Sequence, residues 1–290
     1  MFIHRLRYLL LAISLFGSVP AFACESGQSC IEKGQWDIGI AFGIGARSNP
    51  LVDGNTFPNI ILIDVAWYGD QIYFDNGELG FRLIENQKTG FETYLVIDRE
   101  AAYFDLLHPG NFSISSLISP TTGQPIPPDN QTLDSEEVRL SLDDIRDRKW
   151  AVNLGGRYHY YTEKGEVSFS YETDVSSVHQ GSKAALSYEH YWSGDDWQLS
   201  IRPSVLWKSD KLVNYYYGVS AQDFPDNDIR YTAKGGLQPS LSLTYTKRFS
   251  EDWYWVANLS YQKLHSSMVA SPIVDENNVS SVFLGLGYRF

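Results

Sequence analysis

Apolar residues alternate with small or polar ones at period two through most of this 290-residue chain. The pattern is cleanest at the C-terminus. Residues 279–290, VSSVFLGLGYRF, put Val282, Leu284, Leu286, Tyr288 and Phe290 in one register and Ser281, Phe283, Gly285, Gly287 and Arg289 in the other. Period two is the side-chain repeat of a β-strand, and this strand has one face suited to hydrocarbon and one that is not. An apolar strand at a chain end would be an exposed sheet edge, unless the sheet closes and the last strand pairs with the first.

The same pattern recurs upstream. Trp36, Ile38, Ile40, Phe42 and Ile44 alternate with Asp37, Gly39, Ala41, Gly43 and Gly45, and Ile61, Ile63, Val65 and Trp67 lie opposite Asp64. Residues 72–84 read as a short hairpin around Asp75-Asn76-Gly77. Phe91, Thr93, Leu95 and Ile97 alternate with Glu92, Tyr94, Val96 and Asp98. Residues 105–148, rich in Pro, Ser and Thr, lose the alternation and read as a long loop with one short helix near 140–145. Strand patterns return over 149–161, 166–174, 183–192, 197–207, 237–247, 253–264 and 279–290. Seven strands follow residue 148 and about five precede it, which predicts twelve, or ten if the hairpin at Gly77 is an excursion. The connections alternate short and long, the asymmetry of a transmembrane antiparallel up-and-down β-barrel with short periplasmic turns and long outer loops. Trp36, Trp67, Trp192, Trp197, Trp253 and Trp255 then fall at the periplasmic rim, and Trp150 and Trp207 near the outer rim. Those are the levels at which amphipathic rings sit in a membrane.

Charge and composition place the barrel. Residues 1–23 carry His4, Arg5 and Arg7, an apolar run from Leu9 to Phe16, and Ala21-Phe22-Ala23, the layout of a secretory signal peptide. That run is too short to cross a bilayer as a helix. Removing these residues leaves 290 − 23 = 267, with 21 basic and 35 acidic side chains and a net charge of −14. This balance argues against nucleic acid as a partner. Residues 24–35 read as an N-terminal periplasmic tail, and 36–290 as the barrel. Cys24 and Cys30 would close a small loop in an oxidising compartment. Cys24 also follows the cleavage site directly, as in a lipoprotein, although Ala21 and Phe22 depart from a lipobox.

Several segments together resemble a known family. DVSSVHQG at 174–181 precedes the strand with Pro203 and Trp207. VNYYYGVSAQDFP at 213–225, read as a loop, is followed by Leu264, Ser271-Pro272-Ile273-Val274 and the terminal Gly-x-Gly-Tyr-x-Phe. In this order and spacing they resemble the MipA/OmpV family of MltA-interacting outer-membrane proteins. The resemblance implies an integral outer-membrane barrel surrounded by lipid and inserted by the barrel assembly machinery through the terminal Phe290. It also implies a non-enzymatic scaffold joining a murein lytic transglycosylase to a bifunctional murein synthase. A narrow channel, or a surface or adhesion protein responding to osmotic conditions, is the alternative.

Candidate chemistry is sparse, and neither a catalytic, a cofactor-binding nor a metal residue is assigned. His179 with Asp174, Ser176 and Ser177 has the residue types of a hydrolase, but neighbours in a loop do not make a triad. His159 points inward beside Arg157 and, with Glu172, Glu189 and Arg202, reads as an interior charge network. No His/Cys/Asp cluster has metal-ligand spacing, and Gly39, Gly43 and Gly45 belong to a strand rather than a phosphate loop. The YYYGV aromatics suit either a binding rim or a loop folded over the barrel mouth, and the second reading is preferred.

Overall fold

The computed structural model describes residues 33–113, 140, 145–223 and 229–290. The signal-peptide segment, Cys24, Cys30, most of the 24–35 tail and residues 141–144 of the expected short helix lie outside this set. The described residues form one antiparallel sheet that closes on itself. Its strands are β1 (Trp36–Arg47), β2 (Phe57–Pro58), β3 (Ile61–Tyr68), β4 (Ile72–Asp75), β5 (Glu78–Glu85), β6 (Thr89–Ile97), β7 (Val152–Thr162), β8 (Gly165–Asp174), β9 (Ser182–Ser193), β10 (Trp197–Lys208), β11 (Gly236–Arg248), β12 (Trp253–Lys263) and β13 (Asn278–Arg289). Both β2 and β3 pair with β1, one above the other, so they form a single staggered strand and the wall has twelve. The chain is a closed transmembrane-type β-barrel.

Closure occurs as the terminal pattern requires. Gly39 faces Arg289 and Arg47 faces Ser281 along the β1–β13 ladder, so neither end strand is an open edge. The parity also holds: Ile44, Leu186 and Leu284 are exposed on the outside while Ala41, Ser204 and Phe283 are buried within. Glycine is needed where Phe283 lies across the β1–β13 seam. A Cβ on Gly43 or Gly285 would come within 2.8 Å or 2.6 Å of its ring. The hairpin joining β4 to β5 turns on Asn76 and Gly77, with φ of 48° and 92°, the left-handed pair that a tight hairpin demands.

The wall is not uniform. β4 is four residues long and, on its β3 side, pairs only with residues 66–68, the short-turn end of that strand. Higher on β3 the partner is not a strand. The Val65 amide donates to Asn76 Oδ1 at 3.1 Å, and the Ile63 amide donates to the Phe112 carbonyl at 2.8 Å. The segment between β6 and β7 thus completes the wall through two 3₁₀ turns, Arg99–Tyr103 and Pro109–Asn111. Non-strand backbone is tolerated here because protein groups satisfy it. The irregular stretch therefore begins at residue 98, not at 105, and its first part is structural.

The three tyrosines of YYYGV do not lie in a loop. Residues Asp210–Tyr217 form helix α1, and Ser266–Val269 form a short helix α2. α1 buries Leu212, Val213, Tyr216 and Tyr217, which lie on one face at spacings of one, four and five. That face caps the end of the barrel that carries the long connections, together with Leu51, Phe57, Tyr103, Leu140, Met268 and Ile273.

Candidate functional site

Among the described residues, one charge network inside the barrel lies under the cap and another toward the short-turn rim, and Arg289 with Asp37 and Asp64 forms a third beside the β1–β13 seam. Under the cap, Lys208 at the end of β10 pairs with Glu100 at 2.5 Å, and Tyr217 donates to the same carboxylate at 2.7 Å. Lys208 and Glu100 are 2% and 1% exposed. Arg148 holds the C-terminus of α1: Nε donates to the Tyr216 carbonyl and Nη2 to the Gly218 carbonyl, while Nη1 reaches Asp223 at 2.8 Å. A cation at a helix C-terminus also meets the favourable end of the helix dipole.

Deeper, Asp98 accepts from Asn153 Nδ2 at 2.7 Å and lies 3.5 Å from Lys183 Nζ, which is 3.1 Å from Glu172. Burial alone would raise the Asp98 carboxyl. Lys183, His179, the Glu100 amide and Asn153 outweigh it and hold the carboxyl well below the usual carboxylate range. In the connecting segment beside the cap, burial and the neighbouring Arg99 push His108 down to about 4.

His179 belongs to this upper network. Its Nδ1 accepts the Gly181 amide at 2.9 Å, so Nε2 carries the ring proton and faces Asp98 at 3.6 Å. Ser176 Oγ donates to Asp174 at 2.6 Å and accepts from the Val152 amide, which ties it to the turn and not to the imidazole. Ser177 is exposed. Asp174 also accepts the amides of Ser176, His179 and Gln180. The Asp–Ser–His group is thus a turn clamp with its histidine anchored inward, not a nucleophile and base aligned for attack.

The lower network is centred on Arg157 of β7. It bonds Glu78 and Glu92, each at 2.7 Å, and its guanidinium lies 4.3 Å from the centre of the Tyr94 ring. His159 stands between Glu166 at 2.5 Å and Glu92 at 3.3 Å. Tyr73 donates to Glu78 at 2.6 Å and Tyr68 to Asp75 at 2.7 Å. These groups, Tyr94 and Glu166 apart, line a cavity of about 270 Å³ that reaches Glu85, Gly90 and Tyr161 at the rim ends of β5, β6 and β7. Tyr94 links the upper and lower networks by donating to Glu172 at 3.1 Å. Among the described residues, no group of three or more His, Cys, Asp or Glu side chains is arranged to hold a metal ion.

The family model for MltA-interacting protein MipA matches residues 38–290, nearly all of the barrel. The chain belongs to that family. The MltA-interacting protein of Escherichia coli K12 is 24% identical over 147 residues, which span 50% of this chain and 59% of that protein. Longer matches are to the putative outer membrane protein YiaT of the same strain and to outer membrane protein OmpV of Vibrio cholerae. YiaT is 23% identical over 88% of this chain and 91% of its own, and OmpV is 23% identical over 92% and 91%. These relatives carry the names of interacting or outer-membrane proteins, not of enzymes. Family membership and the closed barrel place this MipA-family protein in the outer membrane, which makes the short-turn rim the periplasmic one.

Sequence parity placed Arg157, His159, Glu172, Glu189 and Arg202 inside but did not show how they divide. Arg157 and His159 join the lower network, Glu172 the upper, and Arg202 with Glu189 form a separate pair. Sequence reading did not single out Lys183, Lys208, Glu100 or Arg148. An inward-phased Lys near a strand end, as at Lys183 and Lys208, was the one available signal.

Proposed function

We propose that this protein is a non-conducting outer-membrane anchor that holds a murein lytic transglycosylase, and through it a bifunctional murein synthase, at the periplasmic face. The observation that carries this reading is the apolar cap. Leu212, Val213, Tyr216, Tyr217, Met268 and Ile273 have no exposed surface and fill the outer mouth, which favours an anchor over a channel. The name of the E. coli relative, MltA-interacting protein, supports the partner class. The periplasmic turns 69–71, 86–88, 163–164, 194–196 and 249–252 are short, so a partner needs the rim or the 24–35 tail as well. Phe249 and Phe290 are exposed there. The surrounding lipid meets the apolar outer face, and Phe290 serves as the handle for the barrel assembly machinery.

Immobilised mature protein exposed to detergent extract of the cell envelope, against an unrelated barrel, tests the anchor. Selective retention of a lytic transglycosylase or synthase is expected, and retention equal to the control would overturn the reading. In planar bilayers the protein is expected to stay electrically silent, whereas discrete conductance steps would favour the channel.

A further inference from the structure

The periplasmic cavity is built as a slot between two aromatic plates. On one side Tyr68 and Tyr73 stack with ring centroids 5.6 Å apart at 21°. On the other, His159 and Tyr161 stack at 5.9 Å and 7°. Between the plates β5 and β6 present Glu78, Arg82, Glu85 and Glu92, and Arg157 closes the inner end.

Each carboxylate here already has a donor. Glu78 and Glu92 hold Arg157, Glu85 holds Arg82 at 2.6 Å, and Asp75 holds Tyr68. A cationic ligand would have to compete with Arg82 and Arg157 for them, and an anion would meet their charge. A hydrocarbon would leave the polar walls without water. Polar capacity nevertheless remains. A carboxylate bound on one lone pair accepts on the others, and Nε of Arg82 is buried without a hydrogen-bond partner. Hydroxyl groups match both, while the C–H faces of a sugar ring match the less buried rings of Tyr68, His159 and Tyr161. Gly90 keeps the slot open: a Cβ there would lie 3.1 Å from Tyr161 Oη and 3.5 Å from His159 Cβ.

We propose that this slot is a binding site for a neutral saccharide of one or two rings, entering from the periplasm. Its volume lies just below the range of about 300–1,000 Å³ that small-molecule pockets occupy. It therefore takes the end of a glycan or a free disaccharide, not a polymer in passage. The inference stands apart from the anchoring role, since it needs no protein partner.

Isothermal titration of the full refolded chain in detergent tests it, with N,N′-diacetylchitobiose and cellobiose as neutral probes and spermidine as the cationic one. Saturable binding of at least one disaccharide is expected, with Kd on the order of 0.1–1 mM. Glu92→Gln and Gly90→Leu are each expected to weaken it at least tenfold, while Lys149→Ala at the outer end leaves it unchanged. Heat-modifiable gel migration reports whether each variant is folded. Gly90→Leu retains every polar lining group, so it decides the case in which Glu92→Gln does not fold. The site is overturned if the folded wild type binds neither disaccharide, if Gly90→Leu binds as tightly as wild type, or if spermidine alone binds.

Discussion

The capped charge network and the periplasmic cavity network are made of the same residue types, yet they differ in how much water reaches them. Under the cap, the Lys208–Glu100 side chains are 2% and 1% exposed. In the periplasmic cavity, the Arg157 and Glu78 side chains are 27% and 16% exposed. A dry ion pair pays a large desolvation cost, which only its partner and hydrogen bonds offset, so removing one member is severe. A pair in contact with water loses less, because water replaces the missing partner. The upper network therefore acts as a fastener for the cap, and the lower one as the wall of a space that exchanges with solvent.

Substitutions can break or sharpen this contrast. The largest effect is expected from Lys208→Met, which strands Glu100 beneath the cap. A loss of about 3–5 kcal/mol is expected, read as a lowered urea midpoint for the protein refolded in lipid vesicles. A loss no larger than that of Arg157→Gln would erase the distinction between dry and wet.

Next comes pH. His108 is buried neutral in the fold, with its pKa near 4 against 6.5 when free. The unfolded chain thus binds the proton first, and stability falls as pH drops from about 6.5 to 4, by up to about 3 kcal/mol. The Asp98 carboxyl is lowered too, but in an acid this favours the charged form, so its contribution is lost only as pH falls below the ordinary carboxylate range. His108→Gln should remove the slope between pH 6.5 and 4 and leave the steeper loss below it. An unchanged slope in that variant would assign the effect to another group.

A smaller cost, roughly 1–2 kcal/mol, is expected for Arg157→Gln, since Glu78 retains Tyr73 and both carboxylates gain water. Raising the salt to about 1 M should narrow the difference between this variant and wild type, and should leave the Lys208→Met difference unaltered. The smallest effect belongs to Lys247→Ala. Its pair with Asp196, at 3.6 Å and about half exposed on both sides, should contribute less than about 0.5 kcal/mol. A midpoint shift matching that of Arg157→Gln would show that rim pairs count for more than solvent screening allows.

Much of the wall was legible in the chain. The outward series Ile38, Ile40, Phe42, Ile44 and the inward series Gly39, Ala41, Gly43, Gly45 keep their sides in the barrel. The Asp75-Asn76-Gly77 turn is where expected, and its hairpin counts among the twelve strands. Two features were read incompletely. Helix α1 spans eight residues, its N-cap Ser209 makes no side-chain capping bond, and three consecutive tyrosines give no periodic signal, so it read as a loop. Residues 98–113 complete the wall beside β3, which their local sequence does not announce because the Ile63–Phe112 bond joins positions 49 apart, 112 − 63.

The sequence by itself determined the architecture: strands, their two faces, closure of the last on the first, and the compartment that such a barrel occupies. The strands and their two faces follow from period two, a property of the local backbone that survives without any knowledge of neighbours, whereas closure follows from an apolar end strand that cannot stay an open edge, and the compartment from the layout of residues 1–23 and the family resemblance. Only the tertiary structure decided which interior charges meet, that the outer mouth is filled by an apolar core, and that a polar slot remains at the periplasmic end. Pairing across the lumen depends on register and on how the loops fold inward. Glu100 and Lys208, or Arg157 and Glu78, become partners through the closed shape of the whole chain and not through any spacing along it.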